Sequence, residues 1–244
     1  MKPTLKTFVP LLLAGTLAIG FTSVAAADDP PASPAAPAAP AQDDAPAKER
    51  PARPRGERGQ RGPRGAQTAV KADAKIGAAA PAFTLKTTDG KDWTLSDAKG
   101  KVVVLEWVNP GCPVCRGLVK DGTVAATVKA CKESFADVVY VAINSSASDK
   151  SSLDATGAYL KDNKLDIAGL IDSDGKVGHM YGARTTPHCF VIDAKGVLVY
   201  QGAINNSQGG DGKTNYIANA LKQLKAGESV EPSETKSFGC GIKY

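Results

Sequence analysis

The run Lys101-Val102-Val103-Val104-Leu105-Glu106-Trp107-Val108 leaves few folds open to this chain. Its apolar residues are nearly continuous rather than alternating, the pattern of a central strand covered on both faces. Asn109-Pro110-Gly111 breaks the run, and Cys112-Pro113-Val114-Cys115 follows at once. Proline one residue past Cys112 suits the first turn of a helix, where its missing N–H is no loss. The helix opened there is expected to run to about Lys132. A buried strand leading straight into a helix is the basic unit of a layered α/β domain.

The rest of the chain from about Ala74 has the same rhythm. Strands are expected at Phe83-Thr84-Leu85 and Trp93-Thr94-Leu95, about the turn Thr87-Thr88-Asp89-Gly90-Lys91. A buried strand is expected over 138–143, a helix over 151–163 with a Ser-x-x-Asp opening, and a short strand ending at Ile171 before the turn Asp172-Ser173-Asp174-Gly175. Cys189-Phe190-Val191-Ile192 and Val197-Leu198-Val199-Tyr200 flank Asp193-Ala194-Lys195-Gly196, a hairpin signal. A last helix is expected over 215–225, then a polar tail to Tyr244. Together these give an α/β sandwich with a mixed sheet.

The first 73 residues read differently. Lys2 and Lys6, the apolar stretch Phe8 to Phe21 and Ser23-Val24-Ala25-Ala26-Ala27 have the layout of a secretory signal peptide over residues 1–27. The apolar stretch is shorter than the roughly 20 residues a membrane-spanning helix needs, so no transmembrane span is expected after cleavage. No cysteine precedes Cys112, which excludes lipid attachment at the cleavage site. Residues 28–73 read as a disordered linker, first Pro/Ala-rich, then Arg/Gly-rich. Lys48 to Arg64 holds seven basic residues against two acidic ones, whereas from Ala66 onward 21 basic face 19 acidic residues. The globular part is therefore no nucleic-acid binder. The basic linker is either a solvated spacer or a contact to an anionic envelope surface. Residues 74–244 form the folded domain, expected in the periplasm or secreted.

A Cys-x-x-Cys pair at the start of a helix has a physical use. Backbone N–H groups and the helix dipole favour a thiolate at Cys112, and Cys115 lies on the same face, within reach of a disulfide. The other reading, half a zinc site, needs two further ligands at short spacing; the remaining three cysteines stand alone, and His179 and His188 make no ligand pair. No metal and no cofactor are expected. Glu106, an acid inside an apolar strand, either moves the proton of the second thiol or is a strand-end residue whose head reaches solvent. Thr186-Pro187-His188 precedes a strand; a cis Thr186–Pro187 bond would bring backbone beside the cysteines, and His188 is a candidate proton carrier. Cys131 and Cys189 read as buried structural thiols. Cys240, between Gly239 and Gly241 in a tail free to swing, is either a second resolving cysteine or a structural bridge.

The blocks Ala80-Pro81-Ala82-Phe83-Thr84-Leu85, Asp89-Gly90-Lys91, Leu95-Ser96-Asp97 and Lys99-Gly100-Lys101-Val102-Val103-Val104 resemble the opening of redoxin domains, the superfamily of the alkyl hydroperoxide reductase/thiol-specific antioxidant and TlpA-type proteins. Leu105-Glu106-Trp107-Val108-Asn109 before Cys112-Pro113, then Tyr181-Gly182-Ala183-Arg184-Thr185-Thr186-Pro187-His188 and Phe238-Gly239-Cys240-Gly241-Ile242-Lys243-Tyr244, are similar to an exported peroxiredoxin-like branch. The resemblance implies a thioredoxin-like fold, an acid at Glu106, a cis-proline at Pro187, and Trp107, Pro113, Thr186, Pro187 and His188 shaping the site. Two departures count against a peroxidase. Asn109 stands where peroxiredoxins have a hydroxyl residue, and Cys115 completes a pair where the branch usually has one cysteine.

The function expected is an exported thiol-disulfide oxidoreductase in which Cys112 attacks and Cys115 resolves. Its partners would be disulfide-bearing proteins or a thiol electron donor. The alternatives are a thiol peroxidase reducing hydroperoxides through Cys112, and a copper chaperone using Cys112, Cys115 and His188.

Overall fold

The structure, a computed structural model, describes residues 72–244. The expected signal peptide, all but the last two residues of the expected linker, and its contact to an anionic surface lie outside the described residues.

Among the described residues, nine strands and five α-helices follow one another. They are β1 (Thr84–Thr87), β2 (Asp92–Thr94), β3 (Val103–Trp107), α1 (Pro113–Lys120), α2 (Thr123–Ser134), β4 (Val139–Asn144), α3 (Lys150–Asp162), β5 (Ala168–Ile171), α4 (Lys176–Tyr181), β6 (Thr185–Thr186), β7 (His188–Ile192), β8 (Leu198–Gly202), α5 (Tyr216–Ala226) and β9 (Cys240–Gly241). Seven strands form one sheet in the order β2-β1-β5-β4-β3-β7-β8. The pairs β3–β4 and β4–β5 are parallel and the other pairings antiparallel, so the sheet is mixed. This is the thioredoxin-like α/β arrangement, with β3 central and every residue of it buried.

Strand alternation sends the two halves of β3 into different cores. Val104 and Val108 join Leu118, Val128, Cys131, Ile217 and Leu221 under α1, α2 and α5. Val103, Leu105 and Trp107 join Val177, Tyr181 and Phe190 on the other face. Glu106 shares the parity of Val104 and Val108, which places an acid beneath α2.

Besides α4 and β6, for which no element was expected, three elements differ from expectation. The helix after the cysteine pair is two helices, because Gly122 takes a left-handed φ of 82° and Asp121 Oδ1 accepts the Thr123 N–H at 2.9 Å, ending one helix and starting the next. The helix expected from Ser151 begins at Lys150, capped by Asp149, whose carboxylate accepts the Ser152 N–H at 3.2 Å. The polar tail contains a strand: β9 pairs antiparallel with β6, and Phe238 before it is buried. The last helix lies where expected, and Asn215 is its N-cap. Asn215 Oδ1 accepts the Ala218 N–H at 2.9 Å while its Nδ2 donates to Thr127 Oγ1 of α2 at 2.6 Å. Asn215→Ala removes both and is expected to cost about 1–2 kcal/mol, read as a lower urea midpoint with an unchanged slope.

Candidate active site

Cys112 is the N-cap of α1, with extended backbone (φ −77°, ψ 120°) and Pro113 at the first helical position. Its carbonyl accepts the first helical bond, from the Arg116 N–H at 3.1 Å. The loop that delivers it is held by Asn109, a residue the sequence did not single out as a builder. Asn109 Oδ1 accepts the Gly111 N–H at 2.6 Å and its Nδ2 donates to Ser146 Oγ at 2.9 Å. Both polar ends are therefore committed, and no hydroxyl stands at that position.

Two sulfurs compete for Cys112. Cys115 lies one turn into α1, also buried, and its side chain hydrogen-bonds to Cys112. Cys240 on β9 brings its sulfur to 2.7 Å from Cys112 Sγ, and as a thiol Cys112 also donates to the Thr186 carbonyl oxygen at 3.1 Å. The Thr186–Pro187 bond is cis, as expected. Cys240 is the most exposed of the three thiols, whereas Cys112 is only 2% exposed. The tail is thus no free arm: it covers the site.

The same neighbours set the charge on each sulfur. Hydrogen bonding from Cys115 holds the Cys112 thiol down at about 4; burial opposes this, and Cys240, the Cys115 backbone N–H and Thr186 add to the lowering. Cys115 moves the other way, well above its ordinary value, through its bond to Cys112 and then burial. Burial and the Cys112 sulfur both raise Cys240. One thiolate and two thiols at neutral pH is the charge state a disulfide exchanger needs.

Glu106 is buried and does not reach solvent, which excludes the reading of a strand-end residue with a solvated head. Burial pushes its carboxyl up to about 7, against a hydrogen bond donated by Tyr140 OH to Oε2 at 2.7 Å. Its negative charge in turn raises Cys115. Tyr140 was not legible as a site residue; it sits on β4 opposite Val104, and nothing in its spacing marks it. Tyr159 OH donates to the Cys115 carbonyl at 3.3 Å from α3.

The remaining expected residues are placed as follows. Trp107 points to the sheet face away from Glu106, donates from Nε1 to Ser145 Oγ at 2.9 Å, and packs at 5.0 Å and 5.5 Å on Phe190 and Tyr181; it is a core residue there. His188 is buried, and its Nδ1 accepts the Arg184 N–H at 3.2 Å. Burial and then the Arg184 charge push it down to about 4, so the ring is the neutral imidazole at pH 7. Cys131 and Cys189 are fully buried, and burial lifts Cys131 to about 12 and Cys189 well above its ordinary value. Among the described residues no group of three or more His, Cys, Asp or Glu is placed to hold a metal ion, and no helix is long and apolar enough to cross a membrane.

A thioredoxin-like domain with a low-pKa cysteine capping its first α-helix, flanked by further thiols, defines a class of thiol-based redox proteins. The profile of the AhpC/TSA family matches residues 76–201, over half of the chain, and the chain belongs to that family. It is 33% identical over 134 residues to the thioredoxin-like protein YneN of Bacillus subtilis, covering 54% of this chain and 75% of that protein. It is 30% identical over 135 residues to the chloroplastic peroxiredoxin Q of Triticum aestivum, covering 51% of this chain and 57% of that one. The thiol-disulfide oxidoreductase ResA of Bacillus subtilis is 28% identical over 131 residues, covering 54% and 69%. Among solved structures, an uncharacterized conserved protein from Geobacillus kaustophilus superposes with a TM-score of 0.57 at 25% identity, over 70% of this chain and 92% of that one. A hypothetical protein from Sinorhizobium meliloti superposes with a TM-score of 0.55, over 70% and 94%.

Proposed function

We propose that this protein is an exported thiol-disulfide oxidoreductase acting on disulfide-bearing proteins or on a thiol electron donor. The Cys112 thiolate attacks a substrate disulfide and displaces one substrate sulfur. The Cys115 thiol, as it loses its proton, attacks Cys112 Sγ in the mixed disulfide and releases the second sulfur. Glu106, buried beneath the pair and titrating near neutrality, takes that proton and returns it. The observation that carries this reading is the polarisation of the pair: Cys112 held at about 4 by a neighbour that is itself held well above the ordinary thiol range. Export rests on the leader-like first 27 residues.

A second reading, hydroperoxide reduction through a Cys112 sulfenic acid, draws on the family and on the likeness to peroxiredoxin Q. Asn109 argues against it, since its amide is spent on Gly111 and Ser146.

The test is a redox titration of the full chain carrying Cys240→Ser, in glutathione buffers with alkylation and mass counting. Two thiols, mapped to Cys112 and Cys115, are expected to close and open reversibly. A midpoint near about −270 mV marks a reductant and one near about −120 mV a disulfide donor. Absence of any reversible two-thiol couple, with hydroperoxide consumed, would replace this reading by the second one.

A further inference from the structure

The C-terminal strand occupies the edge beside the reactive sulfur. β9 lies antiparallel on β6 with Cys240 opposite Thr186 and Gly241 opposite Thr185. Thr186 Oγ1 donates to the Cys240 carbonyl at 3.4 Å, and the Cys240 sulfur lies 2.7 Å from Cys112. Gly239, with a φ of 123°, is what permits this approach, because a Cβ there would overlap the Thr186 carbonyl oxygen. Beyond the cysteine the tail is fastened. The Ile242 N–H donates to the Arg184 carbonyl at 3.1 Å, and Ser148 donates from N and Oγ to the Lys243 carbonyl at 3.1 Å and 2.9 Å. Tyr244 OH donates to the Ala183 carbonyl at 2.7 Å, and its ring stacks on His179 at 3.9 Å over Gly175 and Gly178, where a Cβ would strike it. A segment held this firmly, presenting a sulfur to Cys112, is arranged as a strand-added peptide is arranged on a sheet edge.

We propose that the C-terminal strand is an internal substrate of Cys112, so that the oxidised protein exists as two disulfide isomers, Cys112–Cys115 and Cys112–Cys240, in direct exchange. This deepens the dithiol reading and rests on it. In the exchange, Cys240 gives its proton to solvent, which its partial exposure allows, and its sulfur attacks Cys112 Sγ. The Cys112–Cys115 bond breaks as the Cys112–Cys240 bond forms, and the departing Cys115 sulfur takes up a proton. One S–S bond and one thiol proton stand on each side of the exchange, so no external oxidant or reductant takes part. The Cys112–Cys240 isomer bolts β9 over the site; in the Cys112–Cys115 isomer β9 is held by hydrogen bonds alone, and the edge of β6 opens to a cysteine-bearing segment of a partner.

The test uses the full chain, wild type and with Cys115→Ser, Cys240→Ser or Gly239→Val. Each is oxidised with glutathione disulfide, quenched in acid, alkylated with N-ethylmaleimide and mapped by mass spectrometry of an unreduced digest. Wild type is expected to hold both linkages, Cys115→Ser only Cys112–Cys240, and Cys240→Ser only Cys112–Cys115. Gly239→Val keeps every thiol but lifts β9, so the Cys112–Cys240 share should fall about tenfold. Wild-type samples with different starting ratios, freed of glutathione and held at about pH 8, where thiols ionise appreciably, should converge on one ratio. If Cys115→Ser stops at a Cys112–glutathione mixed disulfide while Cys240→Ser closes normally, the internal substrate is excluded and the dithiol reading stands. Failure of Cys240→Ser to close instead removes the dithiol reading. Should Cys115→Ser not fold, absence of the Cys112–Cys240 linkage from wild type, or of convergence, overturns the proposal by itself.

Discussion

Alkylation of Cys112 by iodoacetamide in the reduced protein is expected to proceed at a rate that stays within about twofold from about pH 5.5 to 8, while the rate of a free cysteine rises about tenfold per unit over most of that range. The reason is that a thiol held at about 4 is already ionised at the lower end. A low pKa also weakens a thiolate as a nucleophile, so its advantage is not simply its ionised fraction. With a Brønsted slope of about 0.4–0.5, five units of lowering cost two to two and a half decades of intrinsic reactivity. At about pH 7 that loss cancels the gain in thiolate, and Cys112 reacts about as fast as an ordinary cysteine; at about pH 5.5 it is ahead by roughly tenfold or more. The other four thiols offer no competition there. Burial lifts Cys131 to about 12 and Cys189 well above the ordinary range, Cys115 is raised by its bond to Cys112, and Cys240 by burial. The cover supplied by β9 lowers the absolute rate without bending the profile. Cys115→Ala, which removes the donor, should move the midpoint up more than Cys240→Ala, following the order of their contributions. A wild-type rate that climbs tenfold per unit would mean that neither neighbour stabilises the thiolate.

How much of this was legible in the sequence depends on whether the signal was local. The central strand, the cysteine pair at a helix start and the hairpin at Asp193–Gly196 were readable because apolar runs, a proline at the first helical turn and a turn cluster are short-range signals. The break at Asp121-Gly122 was readable in principle, since a glycine after a helical run is a stop signal, but the apolar spacing continues across it and outvoted it. What no local pattern carries is the return of the tail. Phe238-Gly239-Cys240 reads as part of a tail free to swing until β9 is seen on β6 and Gly239 is seen against the Thr186 carbonyl. Tyr140 is similar: its hydroxyl is 34 positions from Glu106, and only the parallel register of β3 and β4 brings them together. Trp107 shows the converse error. Its neighbours in sequence are site residues, yet strand parity sends its ring to the opposite face.

The parity that buries Trp107 also buries Glu106, and a buried carboxyl weakens the fold in a measurable way. Glu106 has an ordinary value of 4.5 and is pushed up to about 7 by burial. Below the lower value both the folded and the unfolded chain hold the proton, and no difference arises. Between the two values the unfolded chain releases it while the folded chain keeps it, so unfolding is favoured increasingly as pH rises. Above the upper value the loss is complete, at about 3 kcal/mol. Glu106→Gln removes the titration while its side-chain oxygen still accepts from Tyr140. Its amide N–H groups lack a built partner, a cost independent of pH. The quantity to measure is therefore how the difference between variant and wild type changes with pH, from urea unfolding of the reduced proteins. That difference should shift in favour of the variant by about 3 kcal/mol between about pH 4 and pH 8, with the change centred between the two values. A difference that stays constant would place an ionised Glu106 in the fold at ordinary pH, and with it would go the proton store beneath Cys115. If the shift is found, the chain keeps an acid that weakens it at neutral pH where a leucine would pack, a cost that the proposed mechanism explains by the proton a resolving Cys115 must lose.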